Sequence, residues 1–289
     1  MNMRNKQNQP TAIILADRTL SGNLKTVFGE TEMASLVVAG YTILDYLLME
    51  LRDLGFDQCI VLAKQSAKKL QARFSKSQRW GMTITIMDFA LSKDQVLREY
   101  KSLSEPNGLL VFEMNRLRGH CVKRFLELAN KSDYSLFEGV VSGQAMGITF
   151  LKQTNADFVI NAKSIELEGL VFNDIKNCRD FHRANFELIA GNYDGLDPSV
   201  RRNSELGLRQ HWASKVHKNT KLHSKENMIE RRCQIGSNAR LESVILNHDV
   251  LIEHDAKIRN SIVMPNSVIS NQMPIKNAIV NDGQVFQIH

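Results

Sequence analysis

The sequence predicts an α/β domain with a layered, mixed sheet, followed by a small left-handed parallel β-helix of hexapeptide repeats. Three observations carry that expectation. Strand-length apolar runs alternate with helical stretches through the first two thirds of the chain, and the last third shifts to a six-residue period. The length of 289 residues, with 43% apolar and 24% charged, is also near the limit at which one hydrophobic core splits into two. The expected division is residues 10–195 for the α/β domain, 196–212 for a linker and 213–289 for the β-helix.

Behind a polar start, Ala12-Ile-Ile-Leu-Ala16 reads as a buried strand, and the stretch with Ser21, Gly22 and Asn23 reads as a loop. Ile43, Leu44, Leu47, Leu48, Leu51 and Leu54 recur at helical spacing, Gly55 supplies the stop, and residues 58–63 are strand-like again. That is a βαβ unit, whose crossover implies parallel strands. Residues 82–87 alternate with β-branched side chains, and 95–103 read as a helix. Residues 108–112 form a buried strand ended by Glu113, Met114 and Asn115, and 121–129 are helical. Short strands are expected between 135 and 170, including 147–151 and 157–160. A helix over 177–190 is closed by Gly191.

In the last third, Val216, Leu222, Ile229, Ile235 and Leu241 fall six, seven, six and six residues apart, and after an interruption Ile252, Ile258 and Met264 resume the step of six. Such a period fits a triangular coil in which each side contributes one inward aliphatic residue, and several coils must stack before any of them is stable. His211, His217 and His223 are six apart and are expected to stack on one face of successive coils. With His248 and His254 they offer the general base that acyl transfer on a β-helix would require. No acidic or thiol partner is spaced to complete a metal site on that ladder, so the histidines read as solvated surface. The apolar end Val285-Phe-Gln-Ile-His289 suits either a cap on the last coil or a contact with a neighbour.

The net charge of +6 comes from 37 basic and 31 acidic residues without a block of like charges, which argues against a nucleic-acid arm. No apolar run approaches the ~20 residues of a membrane span, and the polar start lacks a signal-peptide core, so a cytoplasmic protein with no membrane partner is expected. Cys59, Cys121, Cys178 and Cys233 are too scattered for a CxxC motif or a disulfide framework and read as buried thiols. From Gly207 onward, eleven Lys and Arg face seven Asp and Glu, a weakly basic surface that reads as solvated.

In order and spacing these segments resemble the sugar-1-phosphate nucleotidyltransferases with a hexapeptide tail, such as mannose-1-phosphate guanylyltransferase-like proteins and NDP-sugar pyrophosphorylases. The resemblance runs from Ala12 to about Val280. It rests on the first strand, on Val38-Ala-Gly40 through Ile43-Leu-Asp-Tyr46, and on Asp174-Ile175 leading into Asp180-Phe-His-Arg-Ala-Asn185, which is similar to that family's D-I-G-T-P-x-D-Y-x-x-A-N. It implies a Rossmann-like (GT-A-like) domain in which a sugar phosphate attacks the α-phosphate of a nucleoside triphosphate. Glycine amides, an Arg and a Lys would bind phosphates, and two aspartates would hold Mg²⁺.

Aligned on that pattern, Thr19-Leu-Ser-Gly-Asn23 replaces G-x-G-T-R, leaving Ser21, Gly22 and Asn23 as a vestigial phosphate loop, and Met33 stands where the lysine should be. Arg18, Lys25 and Arg116 are the nearby cations. The G-T-A-G base loop is replaced by Leu91-Ser-Lys-Asp-Gln-Val-Leu97, the first metal aspartate by Asn115, and only Asp174 remains of the metal pair, beside Lys176 and Asn177. The resemblance therefore implies a nucleotidyltransferase-like protein of nucleotide-sugar or surface-polysaccharide metabolism. Catalytically impaired, it would act as a binding, regulatory or scaffolding subunit beside an active homologous subunit, in a homo- or hetero-oligomer. A nucleotide or nucleotide-sugar is the ligand in view, and no cofactor is expected, with Mg²⁺ required only if the domain is active. One alternative is an active transferase holding Mg²⁺ on Asp174 and Asn115. Another is a hexapeptide acyltransferase.

Overall fold

The computed structural model describes residues 9–75, 80–99, 107–152, 162–201, 209–223 and 226–288. In chain order the elements before the β-helix are β1 (Thr11–Leu15), α1 (Gly22–Phe28), a 3-10 turn (Met33–Ser35), β2 (Val37–Val38), β3 (Tyr41–Thr42), α2 (Ile43–Asp53), β4 (Gln58–Leu62), α3 (Ala67–Phe74) and β5 (Thr83–Met87). Then come α4 (Lys93–Glu99), β6 (Leu109–Glu113), β7 (Leu117–Arg118), α5 (Val122–Asn130), β8 (Leu136–Val141), β9 (Gln144–Leu151), β10 (Lys163–Glu166), β11 (Phe172–Asn173) and α6 (Cys178–Ala190). The strand expected at 157–160 and the end of the helix expected to reach 103 lie outside the described residues. The expected loop at Ser21, Gly22 and Asn23 is instead the start of α1, and α3 was not anticipated, although Ala67, Leu70 and Phe74 are buried at helical spacing.

Two compact units emerge, and they interleave along the chain: one is Met1–Thr19, Thr31–Leu36 and Ile43–Phe172, the other Leu20–Glu30, Val37–Thr42 and Asn173–His289. The contiguous division expected from sequence does not follow this grouping. The reason is a set of long-range ties in the second unit, such as the bond from Ala39 N–H to Asn185 Oδ1 at 2.8 Å.

The first unit is a seven-stranded sheet in the order β10-β8-β9-β6-β1-β4-β5. β6, β1, β4 and β5 are parallel, while β9 runs antiparallel to both β6 and β8. Strands covered on both faces need apolar residues at every position, and Ala12, Ile13 and Ile14 are wholly buried. On one face Ile13, Leu15, Leu62, Val111 and Leu136 pack with Val96 and Leu97 of α4. The carboxylate of Glu50, buried on α2, accepts bonds from the N–H groups of Cys121 and Val122 at 2.6 and 2.7 Å. It thereby satisfies the open amino end of α5, and Arg118 Nη1 lies 3.3 Å away.

In the second unit a parallel β-helix stacks its coils in strict register. Its three faces hold Met228↔Ile245↔Ile262↔Ile279, Gln234↔Leu251↔Val268 and Lys221↔Arg240↔Lys257. The buried aliphatic residues Ile229, Ile235, Leu241, Leu246, Ile252, Ile258 and Val263 fall six, six, five, six, six and five apart. The interruption seen in the sequence is thus a regular five-residue side, and Val263 rather than Met264 is the inward residue of its side. Most turns place Asn or Asp in the left-handed region, as at Asn238 (φ 57°), Asp249 (61°), Asp255 (58°) and Asn266 (60°), because these residues tolerate it best after glycine.

The histidine ladder does not stack. The N–H groups of His211, His217 and His223 donate to the carbonyls of Ile229, Ile235 and Leu241, which puts all three on consecutive sides of one coil. Six residues advance the chain by one side, whereas vertical neighbours are a whole coil apart.

The coils are flanked within their unit by α1 and α6. Asn281 Nδ2 donates to Val27 O at 2.8 Å, His182 Nε2 lies 3.1 Å from Asn260 O, and the rings of Phe28 and Phe181 meet edge to face. All four cysteines are buried and free. Burial is the main influence on them, raising the thiol of Cys59 to about 12 and those of Cys121 and Cys233 to about 11, which leaves them inert at neutral pH. Among the described residues no helix is long and apolar enough to cross a membrane.

Candidate functional site

A cleft of about 340 Å³ opens in the first unit at the carboxyl ends of β1 and β6. Its position follows from the strand order. The chain builds from β1 outward through β4 and β5, then returns to lay β6 on the other side of β1, so the loops leaving β1 and β6 diverge. Leu15, Asp17 and Arg18 line it from the end of β1, Glu113, Met114 and Asn115 from the end of β6, and Ala90, Leu91, Ser92 and Lys93 from the approach to α4.

Lys93 dominates the electrostatics. Its Nζ lies 2.9 Å from Glu138 Oε1 and 3.8 Å from Glu113 Oε2. Burial works against its charge, but the hydrogen bond and charge of Glu138, aided by Glu113 and Asp94, outweigh it and hold the ammonium above its ordinary value. Glu138 directly precedes a register shift in the β8–β9 pairing, the kind of bulge that re-aims a side chain. Asp17 and Glu113 balance Arg18 and Lys93, and Glu138 adds a further negative charge. A nucleoside triphosphate would find no surplus of positive charge here.

The loop aligned with G-T-A-G is a helix start. Ser92 Oγ accepts from Gln95 N–H at 3.2 Å while Gln95 Oε1 accepts from Ser92 N–H at 2.8 Å, a reciprocal capping box on α4.

The residues that the resemblance implies as a vestigial phosphate loop fall in different units. Ser21, Gly22 and Asn23 open α1 in the second unit, where Asn23 Oδ1 accepts from Cys178 N–H at 3.0 Å and so holds the start of α6. Met33, in the first unit, is buried in the 3-10 turn, and its N–H donates to Arg18 O at 2.7 Å. Of the candidate cations, Arg18 lines the cleft and Lys25 pairs with Glu30 at 2.6 Å. Arg116 lies over the Phe172 ring at 5.4 Å, with its Nε and one terminal nitrogen buried and, among the described residues, without a hydrogen-bond partner.

Asn115 lies in the cleft wall, and among the described residues its buried Oδ1 has no hydrogen-bond partner. Gly147 backs directly onto it, since a Cβ there would sit 2.8 Å from that oxygen. Asp174, in the second unit, forms an ion pair with Lys176 at 2.8 Å. The Mg²⁺ implied by the resemblance does not fit these donors: Asn115 offers a neutral oxygen, and the Asp174 carboxylate is already engaged by an ammonium. Among the described residues no group of three or more His, Cys, Asp or Glu gathers where a metal could be held.

The sequence reading places Lys93 in the stretch aligned with the base loop, but it does not bring Asp17 and Glu113 to the cleft or Glu138 to the ammonium of Lys93. Lys93 and Glu138 are 45 residues apart and meet only through the sheet. Ser92-Lys-Asp-Gln95 was the one local signal, a capping box next to the site.

The fold thus defines an α/β unit with a cleft at its strand-order reversal and a second unit built on a parallel β-helix. Residues 213–287 match the GlmU-like C-terminal hexapeptide family. Among solved structures, the chain is similar to a Bacillus anthracis protein provisionally assigned as a glucose-1-phosphate thymidylyltransferase and crystallised with sucrose. The identity is 13%, the TM-score is 0.49, and the match covers 61% of this chain and 94% of that one. No curated protein matches the chain in sequence.

Proposed function

We propose that this chain is a nucleotidyltransferase-like protein of nucleotide-sugar or surface-polysaccharide metabolism that has given up catalysis and works by binding, as a regulatory or scaffolding subunit beside an active relative in the cytoplasm. The observation that carries this reading is the clamping of Lys93 between Glu113 and Glu138 in a cleft with no net positive charge. Phosphoryl transfer depends on fixed cations that stabilise charge as pyrophosphate leaves, and each one lost costs several kcal/mol at the transition state. The sequence resemblance supports the family relation. Conversion of the phosphate loop into a helix held against Cys178 supports the loss of its former task.

The test is calorimetric titration of the full chain with nucleoside triphosphates and nucleotide-sugars, each with and without Mg²⁺, followed by a pyrophosphate-release assay on any pair that binds. The expected result is no turnover, with any nucleotide binding independent of Mg²⁺. Magnesium-dependent turnover that disappears in Asp174→Ala would overturn the reading in favour of an active transferase.

A further inference from the structure

A second concavity, of about 610 Å³, lies on the β-helix, and its two walls differ in chemistry. One wall is a column of cations. Lys221 is in register with Arg240, and Arg240 with Lys257, so three positive charges stand one above another at the inter-strand spacing of ~4.8 Å. Like charges opposite each other on neighbouring strands are destabilising. The adjacent outward column relieves this internally, with Arg259 and Glu242 paired at 3.2 Å. Among the described residues none of Lys221, Arg240 and Lys257 has a carboxylate partner, so the positive charge of this column is left for an anion from outside.

The other wall is the turn column Asn238, Asp255 and Gln272, which offers amide and carboxylate groups in place of further cations. Its carboxylate opposes a densely charged polyphosphate but accepts hydrogen bonds from hydroxyl groups. Among the described residues no aromatic ring lines the groove, so a nucleobase has nothing to stack on. A pyranose chain linked through carbons 1 and 4 advances by about one coil spacing per sugar. Neighbouring sugars of such a chain are turned about its axis, so in a chain of uronic acids every second or third carboxylate would meet the cationic wall while hydroxyls meet the amide wall.

We propose that this groove binds an acidic oligosaccharide, aligned with the β-helix axis and read by Lys221, Arg240 and Lys257. The site is independent of whether the α/β unit catalyses anything.

The test uses the full chain and three probes: an oligogalacturonate, a neutral malto-oligosaccharide of equal length, and tripolyphosphate. The oligogalacturonate is expected to bind, with affinity that falls as NaCl is raised. Arg240→Gln and Lys221→Gln should each weaken it by about tenfold, whereas Arg259→Gln, in the paired column, should change it by less than about twofold. All three side chains are exposed, so melting temperatures should match the parent's. Failure of the oligogalacturonate to bind, equal binding by Arg240→Gln, equal affinity for the neutral chain, or tighter binding of tripolyphosphate would each overturn the proposal.

Discussion

Gly147 and His182 are two positions where single residues hold the architecture against an identifiable physical penalty. Gly147 has φ +66°, and a Cβ there would lie 2.7 Å from Glu113 O and 2.8 Å from Asn115 Oδ1. Gly147→Ala therefore adds a clash to backbone strain and should destabilise the protein by about 2–3 kcal/mol in urea unfolding. Gly143, at φ +75° with nothing within 4 Å, isolates the strain alone, so Gly143→Ala should cost only about 1 kcal/mol. Equal losses at the two sites would refute the close approach. His182 gives a pH effect with a definite sign. Burial lowers its imidazole below the ordinary 6.5 even though the bond to Asn260 O favours protonation. The unfolded chain then takes up the proton first as pH falls. The contribution of His182 to stability is complete above about 6.5 and declines as pH drops through the lower folded value. Melting temperatures from pH 8 to 5 should show this fall, and His182→Gln should flatten that part of it.

At the scale of elements, the start of α5 depends on a carboxylate from another helix. Glu50 serves two backbone N–H groups and Arg118 at once, and both charged side chains are largely buried. Glu50→Gln keeps the shape but leaves Arg118 without its counter-charge, so a loss of about 3–5 kcal/mol is expected in denaturant unfolding. A loss below about 1 kcal/mol would mean that water already screens the pair. This element was legible from sequence as a helix, as were β1, α2, β4, β6 and α6, because apolar periodicity and the glycine stops at Gly55 and Gly191 are local signals. The cap was not, since Glu50 and Cys121 are far apart in sequence. α1 was misread for a similar reason: its first turn has no acidic residue and Ser21 makes no side-chain cap bond. Its order comes from burying Leu24 and Val27 and from the contact of Phe28 with Phe181. In the β-helix the inward aliphatics were legible, but their grouping into sides of six, six and five was not. Reading that phase as a uniform step of six stacks three histidines that their coil, 19 residues from the next in register, spreads around one turn.

At the scale of the whole chain, the β-helix cannot be separated by a single cut. Residues 20–30 and 37–42 belong to its unit although they precede most of the α/β sheet in sequence. Hydrophobic patterning marks what each segment buries but not which distant segment covers it, so a contiguous boundary was the natural reading and an interleaved one was invisible. The flank makes specific ties: Asn281 to Val27 O, His182 to Asn260 O, and Ser199 Oγ to the carboxylate of Glu230, whose other oxygen accepts from His248 N–H at 3.0 Å. A fragment of residues 196–289 keeps only the last of these, since Val27 and His182 are gone. The coils would still stack in register, because each needs only its neighbours. The amides of Ile279 and Val280, beneath the lost α1, should nevertheless exchange with solvent faster in the fragment than in the full chain, while those of Ile235 and Ile252 should change less. Uniform protection in both would show that the coils carry their own stability and that α1 and α6 only rest on them. Faster exchange confined to the flanked side would instead make α1 a structural part of the β-helix.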